Sequence, residues 1–434
     1  MNNEDLKADP PTPPTPTYPE DQKADKFNQG ITGSDEKYKE EGVLKEDGSY
    51  VFTKNPTSIE VESGAAVEAT DKDINIDTTK AKLELKGETG IKADGAKVAV
   101  KGSTEISGKV GIDAANGNVT LNGSTDIVGT DAAINAGEGG NVDINTNNSA
   151  LNIKGDINAN GGSITVDSGK ATGVIDGDVS ASNGGSVEIS LNDAKSSLTG
   201  SYRVDDSSSI VMNIANGATW NVTDDGEAVG MSLLRMAKAP AAAPAAGLTV
   251  NGGATKAETG YIDMTKRTQK LDIANFSGWE TIIYGHENAG DKDEDYKSGN
   301  TIINRAHKDS GVILSTDNSG INMGDKAAVE ATLKALAHKL TYTDHEENGS
   351  NLTGKVQIAD GLTASSASKY LGNMSWDENG KGQYVVGSIQ WEPTIEEGDY
   401  ETFVMKGARS AVTTSFHSWR DNMQDTYTGA DLAD

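Results

Sequence analysis

The apolar residues of this chain recur at regular intervals between about residue 60 and residue 215. A first series of short apolar pieces is spaced 21 to 24 residues apart and consists of Val67, Ile91, Ile112, Ile134, Ile157, Val179 and Tyr202. Seven or eight residues after each member, a second apolar pair begins at Ile74, Val98, Val119, Val142, Ile164, Val187 and Ile210. A third, looser series runs through Leu85, Ile106, Ile127, Ile153, Ile175 and Leu198.

These series divide the chain into units of about 22 residues, each with two or three short alternating strands. Turn residues such as Asn116-Gly117 and Gly161-Gly162 separate the strands, as period-2 strands require. One unit cannot bury its apolar side alone, but stacked coils can, at about 4.8 Å per coil. A β-sandwich would not keep one register through seven units. The sequence therefore predicts an all-β, right-handed parallel β-helix.

Composition shifts along the chain predict four segments. Residues 1–45 are rich first in proline and then in lysine and glutamate, which predicts a disordered lead-in. Residues 46–247 hold the β-helix repeats and end in an Ala/Pro stretch, 235–247, that predicts an excluded loop. Residues 248–395 predict a less regular C-terminal β-helix and junction region, and residues 396–434 an α-helical linker.

Two apolar stripes have helical spacing. Within 325–340, the stripe of Val329, Leu333, Leu336 and Leu340 predicts a short helix that covers the stack. Beyond Pro393, the apolar residues at intervals of three or four are Val404, Ala408, Val412, Phe416, Trp419 and Met423. That single face predicts a C-terminal α-helix.

Composition narrows the classes of function. The formal net charge of −28 argues against nucleic-acid binding, which needs basic stripes, and against docking on anionic lipid. The absence of cysteine fits either a reducing cytoplasm or export through a narrow pore. The start, Met1-Asn2-Asn3-Glu4-Asp5, has no basic region and no apolar signal core. We expect the natural chain to begin upstream, with a cytoplasmic protein as the other reading.

Three stretches resemble the C-terminal passenger region of bacterial autotransporters, the type V secretion family. They are Ile214–Thr223 (IANGATWNVT), Leu271–Gly278 (LDIANFSG), and Met405–Ala411 (MKGARSA) with Trp419-Arg420. The first is similar to a recurrent coil of that family. The second resembles the junction before the barrel, and the third resembles the helix that threads the barrel.

The resemblance implies a secreted, non-enzymatic passenger on the bacterial cell surface, an adhesin or a structural stalk. Its partners would be its own outer-membrane β-barrel, absent here, and host-cell, matrix or bacterial surface ligands, with no nucleic acid. Its last coils, an autochaperone-like region, would fold first and template the rest. The sequence departs from the family pattern in having neither a signal peptide nor the barrel.

Because β-helices can also be polysaccharide lyases or hydrolases, acidic residues on neighbouring coils could form a catalytic pair. Asp113, Asn135 and Asn158 occupy equivalent places on successive coils. Asp143 and Glu188 share another column but lie two coils, about 10 Å, apart. That separation is wide even for an inverting carboxylate pair.

Metal-binding patterns are incomplete. The run Asp291–Asp295 imitates the start of a calcium loop, but Tyr296 and Ile302 replace its glycine and its bidentate glutamate. The Gly-Gly turns lack the remaining residues of calcium-binding nonapeptides, and the spacing of His338 and His345 disfavours a metal pair. We therefore predict no catalytic, cofactor or metal residue. The alternatives are a carbohydrate-active β-helix enzyme with its groove in further N-terminal coils, and a cytoplasmic acidic scaffold.

Overall fold

The computed structural model describes residues 25–33, 35–224, 246–285, 298–317, 334–343, 356–358, 374–384, 390–396 and 400–406. It is mostly parallel β-sheet and forms a β-solenoid of about nine turns with very little helix, which confirms the predicted fold class. By its internal contacts the chain divides into two compact units, Met1–Val250 and Asn251–Asp434. Among the described residues, no helix has the length and apolar character needed to cross a membrane.

The first unit is built from short strands and one helix, α1 (Glu36–Glu40). Its strands, together with the one at the boundary, are β1 Asp25–Phe27, β2 Ser49–Val51, β3 Thr57–Glu60, β4 Ala65–Ala69, β5 Ile74–Lys86, β6 Thr89–Asp94, β7 Lys97–Ala115, β8 Asn118–Asn122, β9 Thr125–Ala136, β10 Asn141–Asn145, β11 Leu151–Lys154, β12 Ile157–Asn160, β13 Ser163–Asp167, β14 Gly173–Asp176, β15 Val179–Ser182, β16 Ser186–Leu191, β17 Ser197–Gly200, β18 Tyr202–Val204, β19 Ser209–Ile214, β20 Thr219–Val222 and β21 Gly247–Asn251.

All three apolar series predicted from the sequence form columns of residues paired in register. In the first, Ile112 pairs with Ile91 on one side and with Ile134 on the other. The second pairs Val98 with Val119, and the third continues to the buried Trp220, which lies opposite Leu198. Their side chains face inward and are buried, except for that of Tyr202, which is half-buried. The Tyr202 ring packs edge-on against the Trp220 ring, with 5.9 Å between the ring centroids. Stacked Ile, Val and Leu side chains thus form the core of this unit.

The start of the chain differs from the predicted disordered lead-in, because residues 25–33 and 35–45 include the strand β1 and the helix α1. Strand β1 pairs in parallel with β3, and β2 with β5. Tyr38 of α1 is fully buried, and its ring centroid lies 4.8 Å from that of Phe27 and 5.6 Å from that of Tyr50. The few apolar residues of this polar segment can be buried only against the first coil, a contact that composition does not reveal. Residues 1–24 lie outside the described part.

The first strands of the second unit belong alternately to two sets of parallel strands. They are β22 Gly260–Asp263, β23 Leu271–Ser277, β24 Trp279–Tyr284, β25 Thr301–Ala306, β26 Gly311–Thr316, β27 Leu340–Tyr342, β28 Val356–Ile358, β29 Met374–Trp376, β30 Gly382–Tyr384, β31 Gln390–Glu396 and β32 Tyr400–Lys406, with a 3-10 helix at Lys256–Glu258. The even-numbered strands β22 to β28 pair in parallel with one another, and so do β23, β25 and β27. Two antiparallel pairs, β29–β30 and β31–β32, follow.

Both predicted helical stripes differ in part from the structure. Residues 334–338 are helical and bury Leu336, but Leu340 begins β27 and pairs with Thr301. Val404 lies in β32, opposite Glu392, rather than in a helix. In both places, backbone pairing with a neighbouring strand overrides a local helical spacing. Val329, Leu333 and residues 407–434 lie outside the described residues, as do residues 235–245 of the predicted loop.

Candidate functional site

Three polar residues singled out from the sequence, Asp113, Asn135 and Asn158, form a row with Ser180 on one outer face of the first unit. We call Asp113, Asn135, Asn158 and Ser180, which are in register on successive coils, the amide ladder. The Asn158 side-chain amide donates to the Asn135 oxygen at 3.2 Å, and the Ser180 hydroxyl donates to the Asn158 oxygen at 2.7 Å. Hydrogen bonding along the ladder therefore joins neighbouring coils.

The surroundings of Asp113, at the acidic end of the amide ladder, shift the pKa of its carboxyl group. Burial raises the pKa of the Asp113 carboxyl, the Lys92 ammonium opposes that effect, and the Asp94 carboxylate adds to it. Lys92 itself donates to Glu68 at 2.9 Å. The neighbours of Asp113 in its column are Lys92 and Asn135, so no second carboxyl lies directly beside it there.

Asp143 and Glu188 lie where the sequence predicted, in one column with Thr165 between them. Two coil spacings separate their backbones by about 10 Å, which is wide for an inverting pair, whose carboxyl groups lie about 6.5–9.5 Å apart. The Glu188 carboxylate accepts a hydrogen bond from the Asn213 amide at 2.9 Å. The structure therefore does not bring these two acids together.

A closer group of acids was missed in the sequence. Glu84, Glu105 and Asp126, here called the carboxylate column, lie in register on three consecutive coils, about 4.8 Å apart along the stack. The Lys82 ammonium forms an ion pair with Glu105 and lies 3.9 Å from Glu84. Each acid directly precedes a member of the third apolar series, Leu85, Ile106 or Ile127, and that repeated position was the available signal.

The carboxylate column places two carboxyl groups in different environments. Burial raises the pKa of Asp126; the Asn152 amide, which donates to Asp126 at 2.9 Å, lowers it, and Glu105 raises it further. Burial alone would lower the pKa of Lys82, but its hydrogen bond to Glu105 and the surrounding carboxylates raise it overall. A carboxyl with a raised pKa beside an ion-paired one is an arrangement that acid–base chemistry on sugars can use.

Other acids hold the turns between coils. The Asp156 carboxylate accepts the backbone N–H of Asp178 at 3.0 Å, and the Asp178 carboxylate accepts that of Ser201 at 2.8 Å. In the Gly-Gly turns, the first glycines Gly139, Gly161 and Gly184 have positive φ angles of 71°, 79° and 79°. These turns thus have a conformational role.

The remaining metal-like patterns give no site among the described residues. The run Asp291–Asp295 and His345 lie outside them. The His338 ring nitrogen lies 3.3 Å from the Gln383 side-chain oxygen. In the part of the chain that the structure describes, no group of three or more His, Cys, Asp or Glu side chains could hold a metal ion.

The described parts of the stretches that resemble autotransporters lie mainly in strands. Ile214–Thr223 spans the end of β19 and all of β20, where the Trp220 indole N–H donates to the Gly200 carbonyl at 3.2 Å. Leu271–Ser277 forms β23, and only Met405-Lys406 of the third stretch is described, in β32. Comparison with protein-family models, curated proteins and solved structures found no match to this chain.

Proposed function

We propose that this chain is a non-enzymatic surface passenger, an adhesin or structural stalk, that is exported by the autotransporter route and stands on a bacterial cell surface. The observation that supports this proposal best is the amide ladder. It offers a shallow row of amide, hydroxyl and carboxyl groups at the coil spacing, on a backbone that the coil-to-coil hydrogen bonds hold in place. Such a row suits binding to an extended polar surface more than the enclosure of one small molecule.

The chemistry of the ladder favours particular partners. With a net charge of −28, long-range attraction to anionic surfaces is unavailable, so binding must use short-range hydrogen bonds and local contacts. Polar or polyhydroxylated ligands on host cells, matrix or other bacteria fit that requirement, and nucleic acid does not. The outer-membrane β-barrel remains the partner for export.

Display on bacteria tests the proposal. The full chain, joined to a signal peptide and to the outer-membrane barrel of an autotransporter, should reach the cell surface and raise attachment to host cells, matrix or bacteria. The segment before residue 46 must be retained, because Phe27 and Tyr38 are buried against the first coil. Replacing Asn135 and Asn158 together by Ser should lower attachment while leaving surface exposure unchanged.

A matched control lies on another face of the stack. Thr165 and Glu188 are outward and in register there, and their replacement by Ser and Gln should leave attachment as it is. Surface exposure without any gain in attachment would count against the adhesin form of the proposal. Failure to reach the surface would count against the export route.

The carboxylate column supports a second candidate, a carbohydrate-active enzyme. If Glu105 and Asp126 acted as an acid–base pair, the purified full chain would cleave a pectin- or mucin-type glycan. The variants Glu105→Gln and Asp126→Asn would each abolish cleavage, whereas Asp143→Asn on another face would not. No cleavage by the unsubstituted chain would eliminate this candidate for the glycans tested.

A further inference from the structure

One acidic residue of the second unit lies wholly inside the stack. Glu280 of β24 has 0 % exposure, as does Ile282 two residues later. Its partners in register are Gly260 of β22 and Val312 of β26, and Val312 is also fully buried. Among the described residues, neither Glu280 carboxyl oxygen has a hydrogen-bond partner. A buried carboxyl group without a hydrogen-bond donor is uncommon, because its burial costs free energy.

The surroundings of Glu280 are close and apolar. Gly260 leaves no side chain beside it, and a Cβ atom added to Gly252 would lie 2.8 Å from the Glu280 Cγ atom. The following strand in the same column contributes the buried Val356 opposite Val312. The carboxyl group is therefore enclosed by backbone and aliphatic side chains rather than by hydrogen-bond donors.

Charged neighbours do not compensate for this enclosure. The ionisable residues on the elements packed against β24 are Lys256 and Glu258 on the 3-10 helix and Tyr261 and Asp263 on β22, and β26 carries none. The Lys256 ammonium lies over the Trp279 ring, 4.8 Å from its centroid. Burial is the single cause that raises the pKa of Glu280, well above its usual value.

Among the described residues of the same unit, the two buried cations, Arg267 and Lys339, both bind backbone carbonyls. Arg267 donates to the Lys270 carbonyl at 2.9 Å, and Lys339 donates to the Ser298 carbonyl at 2.9 Å. An ionised carboxylate in such a site would lose its hydration without replacement, which is far costlier than burying the neutral acid.

We propose that Glu280 is a pH-sensitive element of the second unit, whose closed stack of β22, β24 and β26 requires the neutral acid and loosens when the carboxyl ionises. The sign follows from proton linkage. An unfolded glutamate has a pKa of about 4.3, and the folded value is higher. Between the two values the folded unit holds one proton more than the unfolded chain.

The linkage sets the expected size of the effect. Within that pH window, Glu280 increases the unfolding equilibrium constant by up to about tenfold for each unit of rising pH. Below about pH 4 both the folded and the unfolded state hold the proton, and Glu280 no longer makes stability depend on pH. The second unit should therefore be tighter in acid than near neutral pH, as far as this residue is concerned.

Hydrogen–deuterium exchange of the full chain tests the proposal locally. Wild type and Glu280→Gln, which keeps the size of the side chain but cannot ionise, are compared at matched pH values from about 4 to about 8. Peptides that cover β22, β24 and β26 should exchange alike in both proteins at the acidic end. As the pH rises, the wild-type peptides should exchange increasingly faster than those of Glu280→Gln, by at least tenfold near neutral pH. The variant Glu258→Gln, at a partly exposed site, should follow wild type.

A second measurement does not depend on the folding of a variant. The infrared spectrum of wild type at about pH 7 should retain a carbonyl band of a protonated carboxylic acid, and unfolding in urea should remove it. Absence of this band, or parallel exchange of wild type and Glu280→Gln at every pH, would overturn the proposal.

Discussion

At the scale of single residues, close approach between coils decides which glycines can be replaced. Gly137 and Gly140 lie in one turn, and Gly140 crosses the preceding coil closely. A Cβ atom at Gly140 would lie 2.0 Å from the Ala114 carbonyl oxygen, whereas at Gly137 the nearest atoms are 3.7 Å away. Because backbone cannot move aside as a side chain can, the two positions should respond differently to the same substitution.

We predict that Gly140→Ala lowers the free energy of unfolding by about 2 kcal/mol or more, through strain between coils. Gly137→Ala should change it by less than about 0.5 kcal/mol. Urea unfolding of both variants followed by circular dichroism measures the difference. Equal losses would mean that the backbone of Ala114 does not lie close enough to Gly140 to exclude a Cβ atom.

At the scale of elements, the α1 segment is the part whose role the sequence concealed. Tyr38 of α1 is buried, contacts Phe27, Tyr50 and Phe52, and donates its hydroxyl to the Gln29 carbonyl at 2.5 Å. The buried Asp35 carboxylate beside it accepts from the Tyr50 hydroxyl at 3.0 Å. In this aromatic cluster, Phe27 pairs in register with the buried Ile59 and Tyr50 with the buried Ile76, so the cluster joins a polar segment to the stack.

Tyr38→Ala should therefore destabilise the first unit by about 3–5 kcal/mol, the usual cost of removing a large buried aromatic side chain. Lys39→Ala, at the exposed neighbouring position on the same helix, should cost less than about 0.5 kcal/mol. Urea unfolding gives both values, and limited proteolysis gives the location. A Tyr38→Ala protein that is as stable as Lys39→Ala, and that is not cut sooner between residues 25 and 52, would mean that α1 does not hold the first coil.

At the scale of the whole molecule, charge is the dominant property. The net charge of −28 produces self-repulsion in the compact state. The described Lys–Glu ion pairs of the first unit, such as Lys92–Glu68, lie between residues 26 and 109. Exposed pairs of this kind contribute little to stability and are screened by salt. Relief of repulsion should therefore exceed the loss of these pairs.

We predict that raising sodium chloride from about 0.05 M to about 0.5 M shifts the urea midpoint upward, because shorter screening lengths weaken repulsion among acids. Lys92→Gln removes one cross-coil pair and should change the size of this shift only slightly. A midpoint that falls with salt in wild type, and falls less in Lys92→Gln, would mean that the ion pairs outweigh the repulsion.

The repeat pattern alone was sufficient to predict the solenoid and its register, since inward residues recur once per coil and a strand's inward and outward sides follow directly from period 2. It therefore identified the Ile112–Ile134 pairing and the outward position of Asn135. The separation of Asp143 and Glu188 by two coils followed from the same counting.

Only the tertiary structure decided features that depend on contacts between distant segments. Tyr38 is buried because the first coil lies beside it, and Leu340 is in a strand because Thr301 is its backbone partner. The ion pair of Lys82 with Glu105 and the enclosure of Glu280 likewise depend on neighbours one coil away. Periodicity records which side of a strand a residue occupies, but pairing energy and burial depend on what the next coil places opposite it.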